Sequence, residues 1–125
     1  MSGKRMAAVD IGTNSCRLLV ADQKGKSISP VLKRLRVTRI GEGAAKQGLL
    51  GEKPMERTIA ALREYSALIK EFQVARLHVV ATDAVRQAAN AAFFLEQVRE
   101  ETGFAVDVIS GGEEARLNYI GACQM

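Results

Sequence analysis

Apolar and polar positions alternate through the first third of the chain and then change to a helical period. Three strand-like stretches come first, approximately residues 5 to 11, 16 to 22 and 27 to 39. They are separated by the turn Gly12-Thr13-Asn14-Ser15 and by Gln23-Lys24-Gly25-Lys26, connections short enough to predict an antiparallel meander. A glycine-rich segment from Gly41 through Gly43, Gly48 and Gly51 leads to Pro54, which suits the first turn of a helix. Met55, Ile59, Leu62, Ile69 and Phe72 recur at helical spacing, so residues 54 to 72 are expected to form an amphipathic helix laid on the sheet. The run from Arg76 to Ala81 reads as a strand that gives way at Thr82-Asp83-Ala84-Val85-Arg86 to a helical turn. Asn90 can cap the next helix, which carries Phe94, Leu95 and Val98 and stops at Gly103. Phe104 to Ile109 is the fifth expected strand, and Ser110-Gly111-Gly112-Glu113 reads as a capping box opening a last helix to about Ala122. The order is βββαβαβα, without an internal repeat or linker.

Composition narrows this to an α/β layered domain spanning residues 1–125. Hydrophobic residues make up 47% of the 125, enough for a core, while aromatics are 5% and Trp is absent. A core of Val, Leu, Ile and Ala suits strands covered by helices. Cys16 and Cys123 lie far apart with no CxxC spacing, which argues against a zinc site or a disulfide framework and favours a reducing, cytoplasmic setting. No run approaches the roughly 18 apolar residues of a membrane span, and the start is not a signal-peptide core, so no membrane partner is expected.

The formal charge of +4 favours anionic ligands without identifying one. Basic residues are densest from Lys33 to Arg39, where alternation puts Arg34 and Arg36 on one face and Lys33, Leu35, Val37 and Arg39 on the other. A solvated edge strand guarded by charge and a basic groove facing a ligand both fit that pattern.

The candidate chemistry is phosphoryl transfer. Asp10 ends an apolar strand and is followed at once by Gly12, Thr13, Asn14 and Ser15. A carboxylate there can hold a hard divalent cation, Mg²⁺ through bound water, while the main-chain amides from Gly12 to Cys16 and the Asn14 and Ser15 side chains hold phosphate oxygens. A plain hairpin turn, with Asn and Gly supplying unusual backbone angles, also fits. Arg86 follows a strand terminus and its guanidinium matches phosphate bidentately, although an exposed helical arginine would look the same. Glu113, three residues beyond Ser110, can fold back as the box partner. Glu114 projects about 100° around the helix and is the better candidate to orient or deprotonate a water. His78 lies in a strand, and the sequence supplies no partner for it.

Three separated motifs carry a resemblance. They are Val9-Asp10-Ile11-Gly12-Thr13-Asn14-Ser15, Ala81-Thr82-Asp83-Ala84-Val85-Arg86-Gln87-Ala88, and Val108-Ile109-Ser110-Gly111-Gly112-Glu113-Glu114-Ala115-Arg116-Leu117. Together they resemble the exopolyphosphatase and guanosine pentaphosphate phosphohydrolase family, within the actin, sugar-kinase and heat-shock ATPase superfamily. The resemblance implies a ribonuclease-H-like domain with a mixed five-stranded sheet. It implies a phosphate loop at Gly12, Thr13, Asn14 and Ser15, with Asp10 near magnesium, Arg86 on substrate phosphate, and Glu114 activating the attacking water. Gly112 fills the variable position of the family's Ser-Gly-x-Glu-Glu-Ala-Arg pattern and leaves Glu114 in register. The family's second glycine-rich aspartate loop is absent, so the chain is expected to be the first half of a two-domain enzyme, inactive alone. The substrates implied are polyphosphate or guanosine pentaphosphate, with the full-length protein a homodimer and nucleic acid not the expected ligand. The remaining alternatives are a kinase of the same superfamily and a non-catalytic module binding polyphosphate or nucleic acid.

Overall fold

The computed structural model describes residues 4–109. Five strands form one sheet: β1 (Lys4–Ile11), β2 (Ser15–Lys24), β3 (Ser27–Val37), β4 (Arg76–Ala81) and β5 (Val106–Val108). Their spatial order is β3-β2-β1-β4-β5. The meander is antiparallel, β1 against β2 and β2 against β3, whereas β4 and β5 add parallel to β1 on its other side. Four helices lie between β3 and β5: α1 (Ala44–Gln47), α2 (Glu52–Glu71), α3 (Asp83–Gln87) and α4 (Ala91–Thr102). The expected last helix, with Glu113 and Glu114, lies outside the described residues.

Alternation in β1 sends Ala7, Val9 and Ile11 to one face, where they meet Cys16, Leu18 and Val20 of β2 and Val79 and Ala81 of β4. That face is covered by Met55, Ile59, Leu62 and Tyr65 of α2 and by Phe94 and Val98 of α4. Burying each larger side chain contributes about 1.5 to 3 kcal/mol. Ala8 and Leu19, with Met6, form a separate cluster on the opposite face.

Several details differ from the sequence expectation. β3 stops at Val37 rather than Arg39, because the Thr38 and Arg39 amides leave the ladder to donate to Asn14 O at 3.2 and 3.0 Å. The glycine-rich segment holds the short helix α1, flanked by Gly43 and Gly48 at φ 75° and 73°, angles that L side chains disfavour. Asn90 occupies the cap position of α4 but makes no capping bond. Its carboxamide instead accepts from Leu50 N at 2.8 Å and donates to Leu50 O at 3.0 Å, fastening the start of α2 to α4. β5 is shorter than the expected 104–109, with Phe104 buried in the core instead.

Candidate phosphate-binding site

Asp10 stands near the carboxyl end of β1, only 6% exposed and on the face opposite the α2–α4 layer. Antiparallel register puts Arg17 of β2 directly across from it and parallel register puts Val80 of β4 on its other side. The chain then turns through residues 12 to 15, closed by Gly12 N donating to Ser15 O at 3.0 Å.

The carbonyls of this turn are tied from behind. Asn14 O accepts from both Thr38 N and Arg39 N, and Thr13 O accepts from Gly41 N at 3.1 Å. A trans peptide is planar, so its C=O and the following N–H point in opposite directions. Holding the Thr13 and Asn14 carbonyls against the 38–41 turn therefore aims the Asn14 and Ser15 N–H groups away from it. The amides of Thr13 and Asn14 donate to no other described residue. Thr13 and Asn14 are exposed and Ser15 half-buried. Contrary to the simple hairpin expectation, neither Gly12 nor Asn14 has positive φ; the left-handed residue of the assembly is Arg39, at φ 51°.

The end of β4 is fastened beside the turn. Thr82 N donates to Ile11 O at 3.3 Å, its hydroxyl lies 3.5 Å from the same oxygen, and Thr82 O accepts from Val85 N and Arg86 N to start α3. Asp83, Ala84, Gln87 and Ala88, one side of α3, join Thr13 and Gly41 around a cavity of about 260 Å³. Arg86 is exposed on α3 and does not line this cavity. Glu114 and its expected convergence with Asp10 lie outside the described residues. Sequence reasoning missed Asp83 as a wall of the cavity and the 38–41 turn as the support of the loop. It also did not single out Arg17, which the hairpin register places opposite Asp10.

Electrostatics sort the neighbouring groups. Burial, reinforced by the negative charge of Asp10 and partly offset by the Thr38 side chain, pushes the Cys16 thiol up to about 12. Cys16 thus remains protonated and unsuited to nucleophilic chemistry. Burial likewise raises Tyr65, whose hydroxyl donates to Cys16 O at 2.7 Å. His78 lies 3.2 Å from Asp107 in β5, a partner the sequence did not supply because it is brought in by the parallel β4–β5 register. The basic strand is an edge strand, as one of the two readings expected. Arg36 pairs with Glu64 on α2, while Arg17, Lys33 and Arg34 border a second cavity of about 320 Å³.

Three antiparallel strands followed by two parallel ones, with helices in the crossovers, define a ribonuclease-H-like domain of the actin-like ATPase type. Residues 19–125 match the Ppx/GppA phosphatase family, and the chain belongs to that family. It is similar to the Ppx/GppA family member of Aquifex aeolicus, at 43% identity and a TM-score of 0.88 over 94% of this chain and 39% of that one. It is also similar to an exopolyphosphatase from Cytophaga hutchinsonii, at 26% identity and a TM-score of 0.86 over 91% of this chain and 36% of that one. A bifunctional 3-dehydroquinate synthase/phosphatase of Fusobacterium nucleatum is 34% identical over 122 residues, 92% of this chain and 18% of that protein. The chain thus spans well under half the length of each of these relatives. Among the described residues no helix is long and apolar enough to cross a membrane.

Proposed function

We propose that this chain supplies the first phosphate-binding domain of a phosphoanhydride hydrolase that releases orthophosphate from the end of inorganic polyphosphate, of guanosine pentaphosphate, or both. The observation that carries the reading is the 12–15 turn, whose Thr13 and Asn14 carbonyls are anchored behind it so that the Asn14 and Ser15 amides face outward. Such a set of backbone donors suits an anion.

In this reading the Thr13, Asn14 and Ser15 amides, with the Asn14 and Ser15 side chains, hold oxygens of the terminal phosphoryl group. Arg86 adds a cation as charge develops on those oxygens. Glu114 orients the attacking water and takes its proton. The water oxygen bonds to the terminal phosphorus, the bridging P–O bond breaks, and the shortened chain departs. Among the described residues no group of three or more His, Cys, Asp or Glu could hold a metal ion. One buried carboxylate, Asp10, nonetheless fits Mg²⁺, which keeps most of its waters and uses one or two carboxylates together with substrate phosphates. Bound there, the ion would neutralise phosphate charge. The second clamp would come from another domain, as the 39% and 36% coverage of the two structural relatives suggests, and these 125 residues alone would turn over little or nothing.

Glu114→Gln in the complete enzyme is expected to leave substrate binding nearly intact while lowering hydrolysis by roughly 10²–10⁴-fold. Phosphate release at the unmodified rate would reject the assignment.

A further inference from the structure

Gly41 stands directly behind the phosphate loop. Its N–H donates to Thr13 O at 3.1 Å. A Cβ placed on residue 41 would lie 2.4 Å from Thr13 Cγ2, with Ala84 Cβ at 3.4 Å and Thr13 O at 3.5 Å. Carbon atoms in good contact sit about 3.5 to 4.0 Å apart, so the first distance is a collision and the other two are close to ordinary packing. The backbone angle is not what demands a glycine here. Gly43 and Gly48, a few residues on, have left-handed φ of 75° and 73° and open space where a Cβ would go. Gly41 has the reverse combination, an unexceptional φ and no space.

We infer that Gly41 is a positioning residue for the phosphate loop. Its missing side chain lets the 38–41 turn close onto Thr13, and that closure fixes the direction in which the Asn14 and Ser15 amides point. A methyl group at 41 can be accommodated in three ways: Thr13 turns about χ1 and carries Cγ2 away, Thr13 moves and rotates the 13–14 peptide with it, or residue 41 retreats and the bond from its N–H to Thr13 O is lost. The first is restricted by the stiff χ1 of a β-branched side chain; the other two misdirect the Asn14 amide. The collision is with one atom, Cγ2, so positions 13 and 41 form a coupled pair that can be relieved from either side. The consequence for ligand binding rests on the phosphate-loop reading above, whereas the coupling itself does not.

The test compares Gly41→Ala, Thr13→Ser and the double variant. Thr13→Ser removes Cγ2 and keeps both the hydroxyl and the amide. Amide NMR spectra of the chain are recorded without ligand, then with inorganic tripolyphosphate and Mg²⁺ at millimolar concentrations. Without ligand, Gly41→Ala is expected to displace the amide resonances of residues 13 to 15, and the double variant to restore them to the Thr13→Ser positions. With ligand, Gly41→Ala is expected to weaken tripolyphosphate binding about tenfold or more, because small misplacements of a binding group carry costs of this order or larger. The double variant is expected to bind as Thr13→Ser does, a rescue that a merely destabilising glycine substitution would not give. If Gly41→Ala is too unstable to study, the double variant against Thr13→Ser still decides: a folded double variant with unmoved 13–15 amides supports the pair. Unmoved 13–15 amides in Gly41→Ala itself, or displacement that Thr13→Ser fails to relieve, would overturn the inference. If the wild-type chain shows no response to tripolyphosphate at residues 13 to 15, the phosphate-loop reading fails, and the ligand-free spectra still judge the coupling.

Discussion

The strand β1 carries a charge near each end, and the two ends are treated in opposite ways. At the amino end Arg5 is closed in. Its guanidinium donates to both carboxylate oxygens of Asp22, at 2.7 and 3.0 Å, and to Phe72 O at 3.1 Å, while Arg5 O accepts from Ala75 N at 2.8 Å. At the carboxyl end Asp10 sits beside a turn whose Thr13, Asn14 and Ser15 carbonyls are engaged and whose Thr13 and Asn14 amides donate to no described residue. The two charges are of opposite sign, a half-buried cation at Arg5 and a buried anion at Asp10. The flanking backbone is used differently at the two ends, and in the reading proposed above that difference makes the carboxyl end the one that takes the ligand. The location also agrees with topology, since β1 and β4 run parallel and both deliver their carboxyl ends to the same place, where ligands of open α/β sheets collect.

The contrast is broken most severely by exchanging what each end does. Asp10→Asn in the complete enzyme is expected to lower Mg²⁺-dependent hydrolysis by roughly 10²–10³-fold, the scale of losing one electrostatic contact to the transition state, with little change in melting temperature. A variant that unfolds but, where folded, hydrolyses normally would put Asp10 with the structural charges. Asn90→Ala removes both bonds to Leu50 and is expected to cost about 1–3 kcal/mol in a denaturant titration, leaving tripolyphosphate binding unchanged. Loss of binding would extend the ligand site to the start of α2.

The two ends also separate by pH. The hydrogen bond from Arg5 holds the Asp22 carboxyl below its usual value. The unfolded chain therefore takes up this proton at a higher pH than the folded one, so the contribution is complete above about pH 4 and is lost as pH falls through the lowered folded value. Asp22→Asn should flatten that acid limb. Cys16 has the opposite sign, because its thiol stays protonated up to about 12 in the fold while the unfolded thiol ionises near about 8.5. Stability therefore declines as pH rises between those values, and Cys16→Ala should remove that part of the decline. Thermal melts across pH that show neither change would mean the charges at both ends are less constrained than their contacts indicate.

Much of this was legible from local pattern. The five strands and the long helix α2 follow from periodicity, the α/β class from composition, the ribonuclease-H-like type from the resemblance carried by three motifs, and the Asp10 turn from one short run of residues. What escaped the sequence depends on residues far apart in the chain. Asn90 has the chemistry of a helix cap, but a better pair of partners waits at Leu50. Thr38 and Arg39 continue an alternating strand pattern, yet their amides are drawn off by Asn14 O. Arg86 could be assigned to the segment after β4, but not to a side of α3, because that depends on how Val85 is buried.

Paramagnetic relaxation by Mn²⁺, substituted for Mg²⁺ in the presence of tripolyphosphate, compares the two ends of β1 in one experiment. Selective broadening of the amides of residues 10 to 15, with those of Arg5, Asp22 and Phe72 left sharp, is the result predicted for a metal–phosphate site at the open end. Broadening centred on the Arg5–Asp22 corner or on His78 and Asp107, or none at residues 10 to 15, would contradict it.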